Sequence, residues 1–132
     1  DKPAMARLLD ACGGLPVTLH RCIDVSRDLA ETYRAAAALG IDTVLTSGGA
    51  ASCRNGTAAL AELLALRDSL HGPEVLIGAG VNAAVITELR AALPGCKFNF
   101  TVEQSTGSGW RRHPRYNVVR DMMKSRVYEP FE

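Results

Sequence analysis

The sequence predicts an α/β fold built from four consecutive βα units of a TIM-type (β/α)8 barrel with parallel strands. Three observations carry that prediction. Short β-rich segments alternate with longer segments of helical periodicity, which is the pattern of parallel βαβ units. The alternation recurs about every 25–30 residues, the spacing expected of a barrel or a doubly wound sheet. Glycine or proline closes each full helical segment, and each strand runs into a loop carrying glycine, hydroxyl or titratable residues. A whole barrel takes about 250 residues. The 132 residues here are therefore expected to form a single barrel domain that supplies only half of a full barrel.

The elements can be justified in order. Pro3 to Ala11 is helical and stops at Gly13-Gly14. Pro16 to His20 is a short β-rich segment. The next helix is capped by Ser26 or Asp28, runs through Tyr33 and an alanine run to Leu39, and is closed by Gly40. Thr43 to Thr46 is a strand, Ser47-Gly48-Gly49 a tight loop, and Thr57 to Leu70 an amphipathic helix with Leu60, Leu63, Leu64 and Leu66 on its apolar face. His71-Gly72-Pro73 stops it before the strand Glu74 to Ile77. Gly78-Ala79-Gly80 turns into a helix from Ala83 to Leu93, which Pro94-Gly95 ends. Lys97 to Val102 is the fourth strand; a Gly/Ser-rich stretch and a helical segment over Tyr116–Ser125 follow.

Composition bounds the function. With 47% hydrophobic and 22% charged residues the chain is ordinary globular protein, and its net charge of +1 offers no field for nucleic acid or an anionic membrane. No apolar run approaches the roughly 20 residues needed to span a bilayer. The first residues carry no apolar export segment, so a cytoplasmic setting is expected. The four cysteines, Cys12, Cys22, Cys53 and Cys96, are widely spaced without a C-x-x-C pair. That spacing excludes zinc-knuckle and thioredoxin-type motifs and agrees with reduced thiols.

In parallel α/β folds the chemistry sits in the loops that follow the strands. The first such loop carries His20, Arg21, Cys22 and Asp24: an imidazole, a guanidinium and a carboxylate that could bind an anion and move a proton. The same Arg and Asp could instead brace the loop. The second, Thr46-Ser47-Gly48-Gly49, offers hydroxyls and backbone N–H groups to a phosphate or carboxylate, or is simply a tight turn. The third, Gly78 to Ala83 with Gly80 and Asn82, has the spacing of a dinucleotide fingerprint, and Glu103 stands at a distance suited to a ribose contact. The fingerprint normally opens its domain, however, whereas here two complete units precede it, so a phosphate site of a late barrel loop fits better. Beyond the fourth strand, Glu103 to Trp110 and the basic cluster Arg111 to Arg115 read as a mobile, solvated loop, with a lid over an anion as the alternative.

Three of these segments, Leu15–Asp24, Leu45–Ala50 and Gly78–Asn82, together resemble the CutC family of copper homeostasis proteins in order and spacing, over the chain up to about Val102. The resemblance implies the C-terminal half of a (β/α)8 barrel, a cytoplasmic protein and a link to copper. Thiolates suit Cu(I), and Cys22 and Cys53 both follow strand ends, so a Cu(I)-handling site at the barrel mouth is one expectation. Burial as small hydrophobes is the commoner fate of free cysteines. The other expectation is a barrel enzyme acting on a small anionic or phosphorylated molecule, with His20 as acid/base, Arg21 as anion clamp and the two glycine loops holding phosphate. A half-barrel also has two bare strand edges, to be covered by an N-terminal half or by a second copy in a homo-oligomer.

Overall fold

A computed structural model describes residues 1–99; the expected continuation of the fourth strand to Val102, the Gly/Ser-rich loop and the Tyr116–Ser125 segment lie outside the described residues. Within them the chain alternates as expected: α1 (Lys2–Ala11), β1 (Thr18–Leu19), α2 (Leu29–Ala38), β2 (Thr43–Thr46), α3 (Thr57–Leu70), β3 (Glu74–Ile77), α4 (Ala83–Ala92) and β4 (Lys97–Phe98). All strands are parallel and lie in sequence order, β1-β2-β3-β4, with Val44 opposite both Leu19 and Val75. Neighbouring strands in chain order, each joined by a helix, are the arrangement of consecutive barrel units.

Local chemistry explains the boundaries. Asp28, not Ser26, caps α2: its Oδ1 accepts the Glu31 N–H at 2.8 Å, while the Ser26 hydroxyl donates to the Ile23 carbonyl at 2.7 Å. His71 itself adopts the left-handed conformation that ends α3, with φ 49° and ψ 43°, so Gly72 is not the residue that makes the turn. β1 is shorter than its apolar segment because Pro16 has no N–H to give. The Val17 N–H goes instead to the Asp42 carboxylate at 2.7 Å, and Arg21–Val25 then coils into a 3-10 turn.

The core lies between the sheet and its helices. Val44, Val75 and Ile77 from the strands meet Leu60, Leu63 and Leu64 of α3, with Leu66 packed at the edge as its helical spacing predicts. Each fully buried leucine contributes about 2 kcal/mol relative to an exposed one. Tyr33 on α2 is fully buried and its hydroxyl donates to the Pro73 carbonyl; burial pushes its phenol up to about 12. α1 differs: none of its residues is buried, and Leu8 is 61% exposed. Among the described residues no helix is long and apolar enough to cross a membrane.

Candidate functional site

Because every strand points the same way, the residues that follow them gather at one end of the sheet. A cleft of about 340 Å³ opens there, lined by His20 and Arg21 after β1, Leu45 of β2, Gly78 to Val81 after β3, and Asn99 after β4. The first loop supplies the polar wall, the third supplies backbone, and Leu45 supplies apolar surface. Gly78 lets that floor sit close to Leu45: a Cβ there would stand 2.9 Å from the Leu45 Cδ1 and push that side chain aside.

Beside the cleft, Asp24 sits in a cage of donors. Its Oδ1 accepts from Thr46 Oγ1 at 2.5 Å, Ser47 N at 3.1 Å and Gly49 N at 3.0 Å. Its Oδ2 accepts from Arg21 Nε at 2.8 Å, and Ser47 Oγ lies 3.0 Å away. The single Ser47 hydroxyl hydrogen is shared with the Ala50 carbonyl at 2.6 Å, while Arg21 Nη2 donates to the Ser47 oxygen at 2.9 Å. Burial alone would push the Asp24 carboxyl up. The bonds from Thr46, Arg21 and the Gly49 and Ser47 amides outweigh it and hold the group below its ordinary 3.8. Asp24 is thus a fixed carboxylate that locks the loop after β1 to the loop after β2.

This arrangement corrects two expectations. The Thr46–Gly49 loop does hold an anion, but the anion is the chain's own Asp24. Thr46 and Ser47 are fully buried, and the Gly48 N–H is spent on Thr46 Oγ1 at 2.9 Å. None of these groups is left for a phosphate. Asp24, saturated with donors, is likewise a brace and not a proton carrier. Arg21 is shared between the two tasks: it braces Asp24 yet lines the cleft, with its side chain 37% exposed and Nη1 making no hydrogen bond among the described residues.

The third loop is the opposite case. The Gly78 N–H is committed to the Thr46 carbonyl at 2.9 Å, and the Asn82 side chain caps α4 by accepting the Val85 N–H at 3.1 Å, so neither serves a ligand as expected. Ala79 and Gly80 both adopt left-handed backbone, with φ of 71° and 75°, and the Ala79 carbonyl accepts the Cys53 N–H at 3.0 Å. In a planar trans peptide the Gly80 N–H then points away from Cys53. The N–H groups of Ala79, Gly80 and Val81 bond to nothing among the described residues. The sequence reading missed Ala79 and Val81, because no side-chain pattern marks an amide as open.

The order of these loops along the chain is a family's. The CutC family model matches residues 1–98. The chain belongs to the CutC family. A CutC family protein of Xanthomonas campestris pv. campestris is 43% identical over 99 residues, which are 75% of this chain and 40% of that protein. One of Xylella fastidiosa is 40% identical over 122 residues, 92% of this chain and 44% of its own. The crystal structure of a protein described by name as copper homeostasis protein CutC, from Streptococcus agalactiae, superposes with a TM-score of 0.65 at 24% identity, covering 74% of this chain and 47% of that one. That likeness supports the fold. The chain spans less than half the length of the curated CutC relatives it matches.

A copper link raises the question of ligands, and the described residues do not fit a Cu(I) site. Cys53 is fully buried, and burial pushes its thiol up, away from the thiolate that Cu(I) needs. Cys22 is exposed and its Sγ–H donates to the His20 carbonyl at 3.4 Å. No group of three or more His, Cys, Asp or Glu residues is placed to hold a metal among the described residues. Cys53 therefore follows the commoner course of a small core residue, in the buried cluster that also holds Ile23 and Val85.

Proposed function

We propose that this chain is the C-terminal half of a CutC barrel that serves copper homeostasis through a cleft for a small anionic molecule, not through a Cu(I) site of its own. The single observation carrying the reading is the cleft where Arg21 and the open Ala79–Val81 amides share one space. Small-molecule sites in such folds lie at the C-terminal ends of the strands. Family membership supports the copper role at the level of its name. His20, exposed at the cleft wall, is the group suited to moving a proton if the bound molecule reacts there. A reducing cytoplasm suits the free cysteines. Among the described residues β1 and β4 each pair on one side only, and these edges with the exposed Leu8 and Leu15 suit a barrel whose other half is supplied by a further segment or a second copy.

Ligand-dependent stability tests the reading. Phosphate, sulfate and phosphorylated sugars should raise the melting temperature in proportion to log concentration, and Arg21→Gln should abolish the rise. Equal stabilisation by the parent neutral sugars, or stoichiometric Cu(I) binding lost in Cys22→Ser and Cys53→Ser, would overturn it.

A further inference from the structure

The two glycine loops of the cleft end are not equivalent, and the difference identifies the chemistry of the ligand. We infer that the Ala79–Val81 segment, facing Arg21, seats a tetrahedral oxyanion: the phosphoryl group of a small molecule. The inference rests on the cleft reading and goes beyond it by naming the atoms and the ligand class.

The argument is one of donor supply. A dianionic phosphoryl group presents three terminal oxygens and is best met by several N–H donors spread over a curved surface; a carboxylate presents two and is best met by a planar fork. The fork of Arg21 is already taken, since Nε is spent on Asp24 and Nη2 on Ser47. What remains is Nη1 and the unbonded backbone N–H groups of Ala79, Gly80 and Val81, residues that line the same cleft as Arg21. That set can meet the three terminal oxygens of a tetrahedral group at once; a carboxylate, which backbone amides also bind in the Asp24 cage, would present only two.

Charge leads to the same place. Arg21 and Asp24 form an ion pair at 2.8 Å, so the cleft carries little net field and recognition falls to directed hydrogen bonds. Asp24 also excludes the competing seat. A second anion cannot enter the Thr46–Gly49 loop without displacing a carboxylate whose oxygens are already met on both sides.

The backbone is built to hold this surface open. Ala79 keeps a left-handed conformation that costs an L-residue about 1–2 kcal/mol, anchored by the bond from the Cys53 N–H to its carbonyl. A Cβ on Gly80 would meet the Ser52 Cβ at 3.4 Å, and its own φ of 75° resists any side chain. The turn also satisfies the amide of the buried Cys53, while the ladder bond from Gly78 completes the strand.

Backbone amide NMR on the protein, titrated separately with inorganic phosphate, glycerol phosphate, acetate and glycerol, tests the assignment. The expected result is saturable shifts of the Ala79, Gly80 and Val81 amides with phosphate and glycerol phosphate. Acetate should bind at least fivefold more weakly, glycerol should have no effect, and Arg21→Gln should weaken phosphate about tenfold. Tighter binding of glycerol phosphate than of phosphate would assign the seat to an ester; the reverse would assign it to free phosphate. Either keeps the tetrahedral seat. If Arg21→Gln does not fold, Arg21→Lys replaces it, with weakened binding expected from loss of the guanidinium geometry. Shifts confined to Ser47–Gly49, or acetate binding as well as phosphate, would overturn the inference while leaving an anion-binding cleft intact. No saturable shift with any anion would overturn the cleft reading as well.

Discussion

The loop after β2 and the loop after β3 start from similar material and end with opposite functions. Each follows a central strand, each contains two glycines with small neighbours, and each offers backbone N–H groups at the same end of the sheet. In the β2 loop those groups close on Asp24, which reaches over from the neighbouring loop 22 to 25 residues earlier. In the β3 loop the Gly78 N–H is spent on the Thr46 carbonyl, and those of Ala79, Gly80 and Val81 close on nothing among the described residues. A donor-rich loop thus specifies an anion without saying whose anion it is. The deciding residue is a carboxylate on an adjacent element, brought within reach by the parallel pairing of β1 with β2.

The comparison can be broken most severely at Asp24. Asp24→Ala should cost about 4 kcal/mol, since removing one partner of a buried charged network leaves the others unpaired. Denaturant unfolding will measure it, and Arg21, freed of its brace, should lose its orientation in the cleft. Next in size is Gly56→Ala, where a Cβ would stand 1.9 Å from the Ser47 carbonyl oxygen. The β2 loop is therefore pressed against backbone as well as hydrogen-bonded. About 3 kcal/mol of destabilisation is expected, at the upper end of overpacking costs.

A pH series sharpens the same contrast. Asp24 titrates below its ordinary 3.8 in the folded protein, so the unfolded chain takes up the proton first. Its contribution to stability is complete above about 3.8 and is lost as pH falls below that value through the folded-state pKa. In Asp24→Asn that acid loss should flatten, while stability near neutral pH is already reduced. Unfolding curves from pH 5 to pH 2 for both proteins will show whether the slopes differ.

The smallest effect belongs to the β3 loop. Ala79→Gly should stabilise by about 0.5 kcal/mol, because relief of the left-handed strain slightly exceeds the entropy that glycine adds to the unfolded chain. Gly48→Ala, the matching change in the β2 loop, should do the reverse: a Cβ there would lie 2.5 Å from the Gly56 carbonyl oxygen. A loss at Gly48→Ala well beyond the left-handed cost of about 1–2 kcal/mol, read by chemical denaturation, would show that the β2 loop is packed shut.

Much of the fold was legible in the residues because local chemistry determines it. The strands Thr43–Thr46 and Glu74–Ile77 and the helix Thr57–Leu70 match their patterns residue for residue, being long apolar or amphipathic runs between clear stops. Asp28 was one of two readable caps, and only the geometry separates it from Ser26. The site was legible in its place but not in its allocation. His20, Arg21 and Gly80, which follow strands, line the cleft. That Thr46, Ser47 and Gly49 are spoken for depends on Asp24, and the sequence alone left it open whether that residue was a brace or an acid. The left-handed turn at Ala79 and the close approach at Gly56 leave no mark in composition, since one is an ordinary alanine and the other a glycine beside a helix start. Cys22 and Cys53 look alike in sequence, yet one lies in solvent and the other in the core, a difference of tertiary burial.

Residue-resolved amide hydrogen exchange in anion-free buffer tests the central claim most directly. If Asp24 fills the β2 loop and nothing fills the β3 loop at Ala79–Val81, the Ser47 and Gly49 amides will be protected and those of Ala79, Gly80 and Val81 will exchange near the unstructured rate. Protection at Ala79–Val81 with fast exchange at Ser47 and Gly49 would contradict it.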